Sequence, residues 1–422
     1  MIGFIGLSHL GLNYSLATAA KGFEVIGYDP DPGLVARLQA GDFPIEEPGF
    51  QSLFAAHRTR IRYTSDRADL AACQLVFYAL DVRTNERNES DLEPLATLIR
   101  ESAPAVSGLA TSVVLSQVRP GFMRKLVAEG AWNPATWYCQ VETLVFGDAV
   151  ARALAPERFI IGSATPGADL PAGYRAWLQA FPCPVLVMRY ESAELAKIAI
   201  NLYLVSTVSV TNTLAEACEA LGADWQEIAP ALRLDRRIGP HAYLKPGLGL
   251  AGGNLERDLV TLRGLAAENR TEAGLVAAWE ANSAHARTWA LRTLGRVLLG
   301  ERPNARLAVW GLAYKQDTHS TRNSAAIELL RALPGCSVRA YDPVARLEGG
   351  GWDHVAVVPD ALAALAGADA LVVMTPWPEF SGVQAAEIAG RMPGRIIVDP
   401  YGMIGAPGCA AAGLRHFQLG RG

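Results

Sequence analysis

The chain has 422 residues, half of them hydrophobic and 19% charged, with a formal net charge of −4. This length allows two or three domains with sizeable cores, and the composition excludes an extensively disordered chain. No basic block is present to track a phosphate backbone, so binding to nucleic acid or to a membrane surface is not expected.

Six cysteines (Cys73, Cys139, Cys183, Cys218, Cys336, Cys409) are widely spaced and form no C-x-x-C pair. They fit reduced thiols in a cytoplasmic protein, and no metal site is expected. The N-terminus lacks a basic n-region and turns polar at Ser8 and His9, which does not fit a signal peptide.

The chain opens as strand, Gly-turn, helix, strand, acid. Met1 to Ile5 is apolar, GLSHLG follows, NYSLATAAKG is helical in pattern, and FEVIGYD ends on Asp29. This is the start of a dinucleotide-binding βαβ unit. Gly6 makes the tight turn, and Gly11 lets the helix pack on the strand. The helix N-terminus behind Ser8, His9 and Leu10 then faces a pyrophosphate. Asp29 suits an adenosine ribose and repels a 2′-phosphate, so NAD is favoured over NADP. Ser8 stands at the middle Gly of the fingerprint, where a Cβ crowds the phosphate approach.

Buried strands are predicted at Leu75 to Leu80, Ser112 to Ser116, Thr136 to Val141 and Phe159 to Gly162. Ligands of an open parallel sheet sit beyond the carboxyl ends of its strands, which singles out Asp81, Gln117 and Glu142. Each also reads plausibly as a loop cap or surface group.

From Tyr190 to Leu221 no Gly or Pro interrupts the chain, and Gly222 closes the run. One long, largely buried helix is predicted. Glu194, Lys197, Asn201 and Asn212 fall on one face of it. Their spacing suits a buried wall facing a polar ligand, and equally a polar seam against another domain or subunit. The longest apolar stretch, Ile198 to Val210, is short for a membrane span of ~20 residues.

RLDRRIGPHAYLKPGLGLAGGNLERD follows, rich in Gly. Lys245, Asn254, Arg257 and Asp258 beside these glycines favour a ligand loop over a plain connector. Ala305 to Asp342 then repeats the opening theme, with GYDP at 27–30 answered by AYDP at 340–343. The second unit lacks G-x-G-x-x-G and carries Lys315 in its turn, so an anion other than NAD is expected there. The fold class is thus α/β, two Rossmann-like doubly wound parallel-sheet domains bridged by a long central helix.

At this point the chain resembles the UDP-glucose/GDP-mannose dehydrogenase family over nearly its whole length. IGLSHLGL is similar to its G-x-G-x-x-G-L start, and PIEEPG (44–49) to its E-P-G turn. AELAKIAIN (193–201) matches A-E-x-x-K-x-x-x-N, and DRRIG (235–239) matches D-x-R-I-G. GLAYKQDTHSTRNS (311–324) resembles G-x-x-x-K-x-x-T-x-D-x-R-x-S, with Ser320 at the family's Asp.

The resemblance implies an NAD domain (1–188), a central helical dimerisation domain (189–297) and a nucleotide-sugar domain (298–422). It implies a homodimer built on the central helix. It assigns Lys197, Asn201, Asp258 and Glu142 to catalysis, and Arg237, Lys245, Gly252, Lys315 and Arg322 to the substrate. Gly6, Ser8, His9, Leu10, Gly11, Asp29, Asp81 and Gln117 fall to NAD.

That family oxidises a sugar C6 alcohol to a carboxylate with two NAD, through a thioester on a cysteine in G-G-x-C-x-x-K-D. The matching stretch is Ala251 to Asp258, and the cysteine position is Asn254. An amide nitrogen is no nucleophile at neutral pH. Cys139, three residues before Glu142, points to the opposite strand face and is a poor substitute. Other departures are Gln117 for the Thr of S-T-V-P-P-G, Ala79 to Val82 for V-P-T-P, Arg257 for Lys, and Tyr401 for the Arg of D-G-R.

The losses fall mostly on the thioester half of the reaction. The expected activity is therefore a single alcohol-to-aldehyde oxidation of a nucleotide sugar, in polysaccharide or natural-product biosynthesis. Lys197 and Asp258 would handle the proton, and Asn254 would hydrogen-bond the oxygen at the reacting carbon. A redox-neutral isomerisation and a catalytically silent binding protein are the alternatives.

Overall fold

The computed structural model describes residues 1–422, and the chain divides into two units, Met1–Ile200 and Asn201–Gly422. The apolar runs of the first unit form eight strands: β1 (Ile2–Ile5), β2 (Val25–Tyr28), β3 (Ile61–Thr64), β4 (Leu75–Tyr78), β5 (Thr111–Val114), β6 (Trp137–Gln140), β7 (Phe159–Ser163) and β8 (Val185–Arg189). Their order in the sheet is β3-β2-β1-β4-β5-β6-β7-β8. β1, β2 and β4 to β7 are buried at every position, as strands covered on both faces must be.

One junction departs from the expected parallel sheet. β7 runs antiparallel to β6, with Cys139 opposite Gly162, while β8 is parallel to β7. The link from Val141 does not recross the sheet, so the carboxyl end of β7 lies at the opposite edge from those of β4, β5 and β6. Of these four strands, only β4, β5 and β6 end at the edge where β1 and β2 deliver Gly6 and Asp29.

The second unit holds six parallel strands: β9 (Arg306–Trp310), β10 (Ser337–Tyr341), β11 (Val355–Val357), β12 (Ala370–Val373), β13 (Ile396–Val398) and β14 (Arg415–Phe417), in the order β11-β10-β9-β12-β13-β14. The fold is α/β with two Rossmann-like sheets.

The two Gly-turns start alike and end differently. Gly6 has φ +91°, and a Cβ on Gly11 would lie 2.0 Å from the Gly6 carbonyl oxygen, so the helix His9–Ala20 can begin at once. Gly311 has φ +95°, but residues 312–324 intervene before the helix Ala325–Arg331. The acids that close the two units also differ. Asp29 accepts from the Leu7 and Asp31 amides (2.9 and 3.1 Å). Asp342 accepts from five groups: the amides of Leu312, Ala313, Val344 and Ala345, and Trp377 Nε1. Its carboxylate is consumed in shaping its own turn.

The long helix spans Tyr190–Leu221, as predicted. Its polar face is not one wall. Glu194 accepts from the Gly121 and Met123 amides (2.7 and 2.8 Å) and so caps the helix Phe122–Glu129. Lys197 reaches Glu142, Asn201 reaches Asp258, and Asn212 accepts from the Gly247 amide at 2.9 Å. An 18-residue window of the helix has a mean hydropathy of 1.4, enough by length and composition to cross a membrane. This corrects the estimate from the shorter stretch Ile198 to Val210. These polar side chains are nonetheless all bonded to other parts of the fold.

Candidate active site

In the first unit the dinucleotide turn is tight. A Cβ on Gly6 would meet the Leu80 backbone at 3.1 Å, so only glycine lets the end of β4 approach this closely. Ser8 caps the helix His9–Ala20 in extended backbone geometry, yet its hydroxyl makes no cap bond. It instead donates to the Ala79 carbonyl (3.2 Å) and accepts from the Asp81 amide (2.8 Å). The Ser8 side chain thus ties the turn to the segment beyond β4.

Asp29, 8% exposed, ends β2 beside this turn, and its two backbone donors leave lone pairs for ribose hydroxyls. Gly6, Gly11 and Asp29 therefore fit NAD. Asp81 fits less simply. Desolvation by the surrounding protein raises its pKa, against the pull of the nearby His9, although solvent still reaches the residue.

Glu47, from the E-P-G turn, was not a predicted site residue. Its buried carboxylate accepts from the Gly147 and Ala149 amides and lies 2.7 Å from His9 Nε2. It fixes both the first helical residue and the loop after β6. The resemblance in PIEEPG was the one signal that could have found it.

Gln117, Glu142 and Lys197 line one water-sized cleft together with Glu194. Lys197 Nζ is 2.9 Å from Glu142 Oε1 and donates to the Glu142 carbonyl at 3.1 Å, with both side chains about one-sixth exposed. Glu142 is held in turn by the Leu144 amide, 2.9 Å away.

In the second unit Asp258 is 1% exposed, and its carboxylate lies between Asn201 Nδ2 (2.5 Å) and Arg257 Nε (3.2 Å). Lys197 and Asn201 are one helical turn apart.

The Gly-rich loop ends on Gly252 (φ +90°) and Gly253 (φ +98°), and Asn254 opens the helix Asn254–Asn269 as an exposed residue. Any side chain on Gly252 would strike the Tyr314 ring at 2.4 Å, and one on Gly253 would meet Arg322 Nε at 2.9 Å. The Gly252 amide donates to the Arg322 carbonyl at 3.1 Å, and Glu256 joins the Gly253 amide to Asn323 Nδ2. Lys315 Nζ stands 5.9 Å above the Tyr314 ring. Gly252, Lys315 and Arg322 therefore come together in one place.

Arg237 does not join them. It is strongly exposed and makes a two-pronged pair with the neighbouring Asp235. Lys245 lines a separate cavity with Trp225, Arg233 and Tyr401. Burial raises the thiol pKa of all six cysteines: to about 11 for Cys73 and Cys409, and to well above the usual thiol range for the buried Cys139.

Three models of the UDP-glucose/GDP-mannose dehydrogenase family match the chain in sequence order. They are the NAD binding domain at residues 1–174, the central domain at 191–284 and the UDP binding domain at 308–406. The UDP-glucose 6-dehydrogenase of Pseudomonas aeruginosa is 30% identical over 99% of this chain and 96% of its own. The UDP-glucose 6-dehydrogenase AglM of Haloferax volcanii is 31% identical over 94% and 96%.

Among solved structures, a UDP-glucose dehydrogenase from Pyrobaculum islandicum superposes with a TM-score of 0.82 at 27% identity, covering 94% of this chain and 93% of the other. A UDP-D-ManNAc dehydrogenase from Pyrococcus horikoshii shares the fold over the full length of both chains, with a TM-score of 0.86 at 23% identity. The chain belongs to the UDP-glucose/GDP-mannose dehydrogenase family, as an NAD-dependent oxidoreductase with an amino-terminal NAD-binding domain and a carboxyl-terminal UDP-binding domain.

Proposed function

We propose that this protein oxidises the primary alcohol of a UDP-linked sugar to the aldehyde, with one NAD per turnover, and stops there. One observation carries the reading. Residue 254, which the family resemblance aligns with the thioester-forming cysteine, is an exposed Asn at a helix start, and every thiol of the chain lies elsewhere with a raised pKa. Without a thiolate no thioester forms, so the second hydride transfer has no covalent substrate.

NAD, when bound, supplies the hydride acceptor. Lys197 and Asp258 handle the proton that leaves the hydroxyl. Asn201 fixes the Asp258 carboxylate, and Glu142 fixes the Lys197 ammonium. Asn254 donates to the oxygen at the reacting carbon. Lys315 and Arg322 hold the phosphates, and Gly252 leaves room for the sugar, with Arg237 and Lys245 further substrate contacts. Gly6, Ser8, His9, Leu10, Gly11, Asp29, Asp81 and Gln117 form the NAD side.

The acting form is a cytoplasmic homodimer. Tyr203, Val210, Leu214 and Leu221 are exposed at helical spacing along Tyr190–Leu221, and a second copy of the same face covers them.

The test is the yield of NADH per sugar consumed. Purified protein is incubated with NAD and a panel of UDP-, GDP-, ADP- and TDP-sugars, aldehydes are trapped with hydroxylamine, and products are weighed. One NADH and a trapped oxime support the reading. Two NADH and a carboxylate overturn the single oxidation. Product isomerised with no net NADH points to the redox-neutral alternative. Absence of both NADH and NAD binding points to a silent binding protein.

A further inference from the structure

The first amides of the helix Asn254–Asn269 have no partner within the helix, so whatever fixes its first turn also fixes residue 254. The capping residue, Gly253, has no side chain for that task, and the Glu256 carboxylate reaches back instead. One of its oxygens accepts from the Gly253 amide at 3.1 Å. In a plain capping box the second oxygen is left to solvent. Here it accepts from Asn323 Nδ2, also at 3.1 Å, across 67 residues of chain.

Asn323 is itself constrained. Its φ of +52° lies in the left-handed region, which a residue with a side chain adopts where its surroundings hold it there. It follows Arg322, whose carbonyl takes the Gly252 amide at 3.1 Å. It precedes Ser324, whose hydroxyl donates to the Leu312 carbonyl at 2.8 Å. Glu256 falls at an open position of G-G-x-C-x-x-K-D, and Asn323 at the open position of R-x-S. The link therefore belongs to this chain and not to the family pattern.

We propose that Glu256 is a positioning residue that couples the turn of residues 312–324 to the helix start carrying Asn254 and Asp258, so that a nucleoside diphosphate held by Lys315 and Arg322 orders the reacting end. The proposal rests on the assignment of Lys315 and Arg322 to the phosphates. Binding energy gathered at the diphosphate, remote from the reacting carbon, then goes into holding the site residues in place. The main-chain bond from Gly252 to Arg322 keeps loop and turn together without Glu256, so losing the carboxylate uncouples them without unfolding the chain.

The experiment is hydrogen–deuterium exchange of the full-length protein with and without saturating UDP, read by mass spectrometry on peptides covering residues 250–258. Calorimetric titration measures UDP binding, and thermal melts check folding. In the parent, UDP slows exchange at these amides about fivefold or more. Asn323→Gly suits the positive φ and spares the bond from Glu256 to Gly253, so it keeps the parental rate without UDP and loses the slowing by UDP. Glu256→Ala exchanges faster without UDP and also loses the slowing. Glu256→Gln keeps an acceptor for Gly253 and pairs with the Asn323 amide turned round, so it retains the slowing. A purely structural cap would leave the UDP effect intact in Asn323→Gly, and that result overturns the proposal, as does a parent that binds UDP with no slowing. Unweakened UDP binding by Lys315→Ala overturns the phosphate assignment and the proposal with it.

Discussion

Asn201 Nδ2 donates to Asp258 Oδ2 over 2.5 Å, so the long helix positions the acid of the Gly-rich loop's helix. Arg257 Nε lies 3.2 Å from the other carboxylate oxygen, and the site is buried. If Asp258 takes part in moving the hydroxyl proton, Asp258→Asn lowers kcat by about 10²-fold or more, and NAD affinity stays unchanged. Stopped-flow NADH formation measures this. A variant with parental kcat removes Asp258 from the reaction.

Asn254→Cys restores a thiol at a helix N-terminus, where the thiolate is favoured. The NADH yield per sugar is expected to rise from one towards two, with a carboxylate in place of the oxime-trapped aldehyde. Mass spectrometry of the quenched variant should show a covalent sugar adduct. An unchanged yield would mean that the other departures from the family pattern, Gln117 among them, no longer support hydrolysis.

Glu194 is buried and its pKa is raised, chiefly by desolvation. The folded chain therefore binds its proton more tightly than the unfolded chain does, and this group's contribution lowers stability as pH rises through the interval above the ordinary carboxylate value. Glu194→Gln removes that slope. It also turns an N–H towards the Gly121 or Met123 amide and costs about 1–3 kcal/mol. Urea melts of both proteins from pH 4.5 to 8 separate the two effects.

The exposed face of the long helix gives a test of assembly. Tyr203→Asp with Leu214→Asp adds two charges where a partner copy would bury apolar surface. The pair is expected to shift sedimentation from dimer to monomer with little change in far-ultraviolet circular dichroism. A parent that sediments as a monomer would refute the dimer outright.

Much of the fold was legible because it rests on short-range patterns. The unbroken run before Gly222 gave the long helix, and apolar segments bounded by turns gave β4 to β7. The reversal of β7 was not legible, since an apolar strand reads the same in either direction. Nor was the use of the polar stripe. Glu194 and Lys197 sit three residues apart on one helix, yet one caps a helix and the other pairs with a carboxylate, because the partners come from segments more than fifty residues away. Glu47 was hidden for the same reason, as its donors lie at Gly147 and Ala149.

The two YDP acids bear on redesign. Asp29 and Asp342 occupy equivalent places at the ends of β2 and β10, and a sequence comparison would score them as identical. Yet Asp342 already serves five donors and has little acceptor capacity to offer a sugar hydroxyl. Grafting a glycine fingerprint onto the second turn would therefore not make it a nucleotide cofactor site. An engineer would first have to release Trp377 and rebuild the chain between Gly311 and Ala325, so that the carboxylate is free to recognise something other than its own loop.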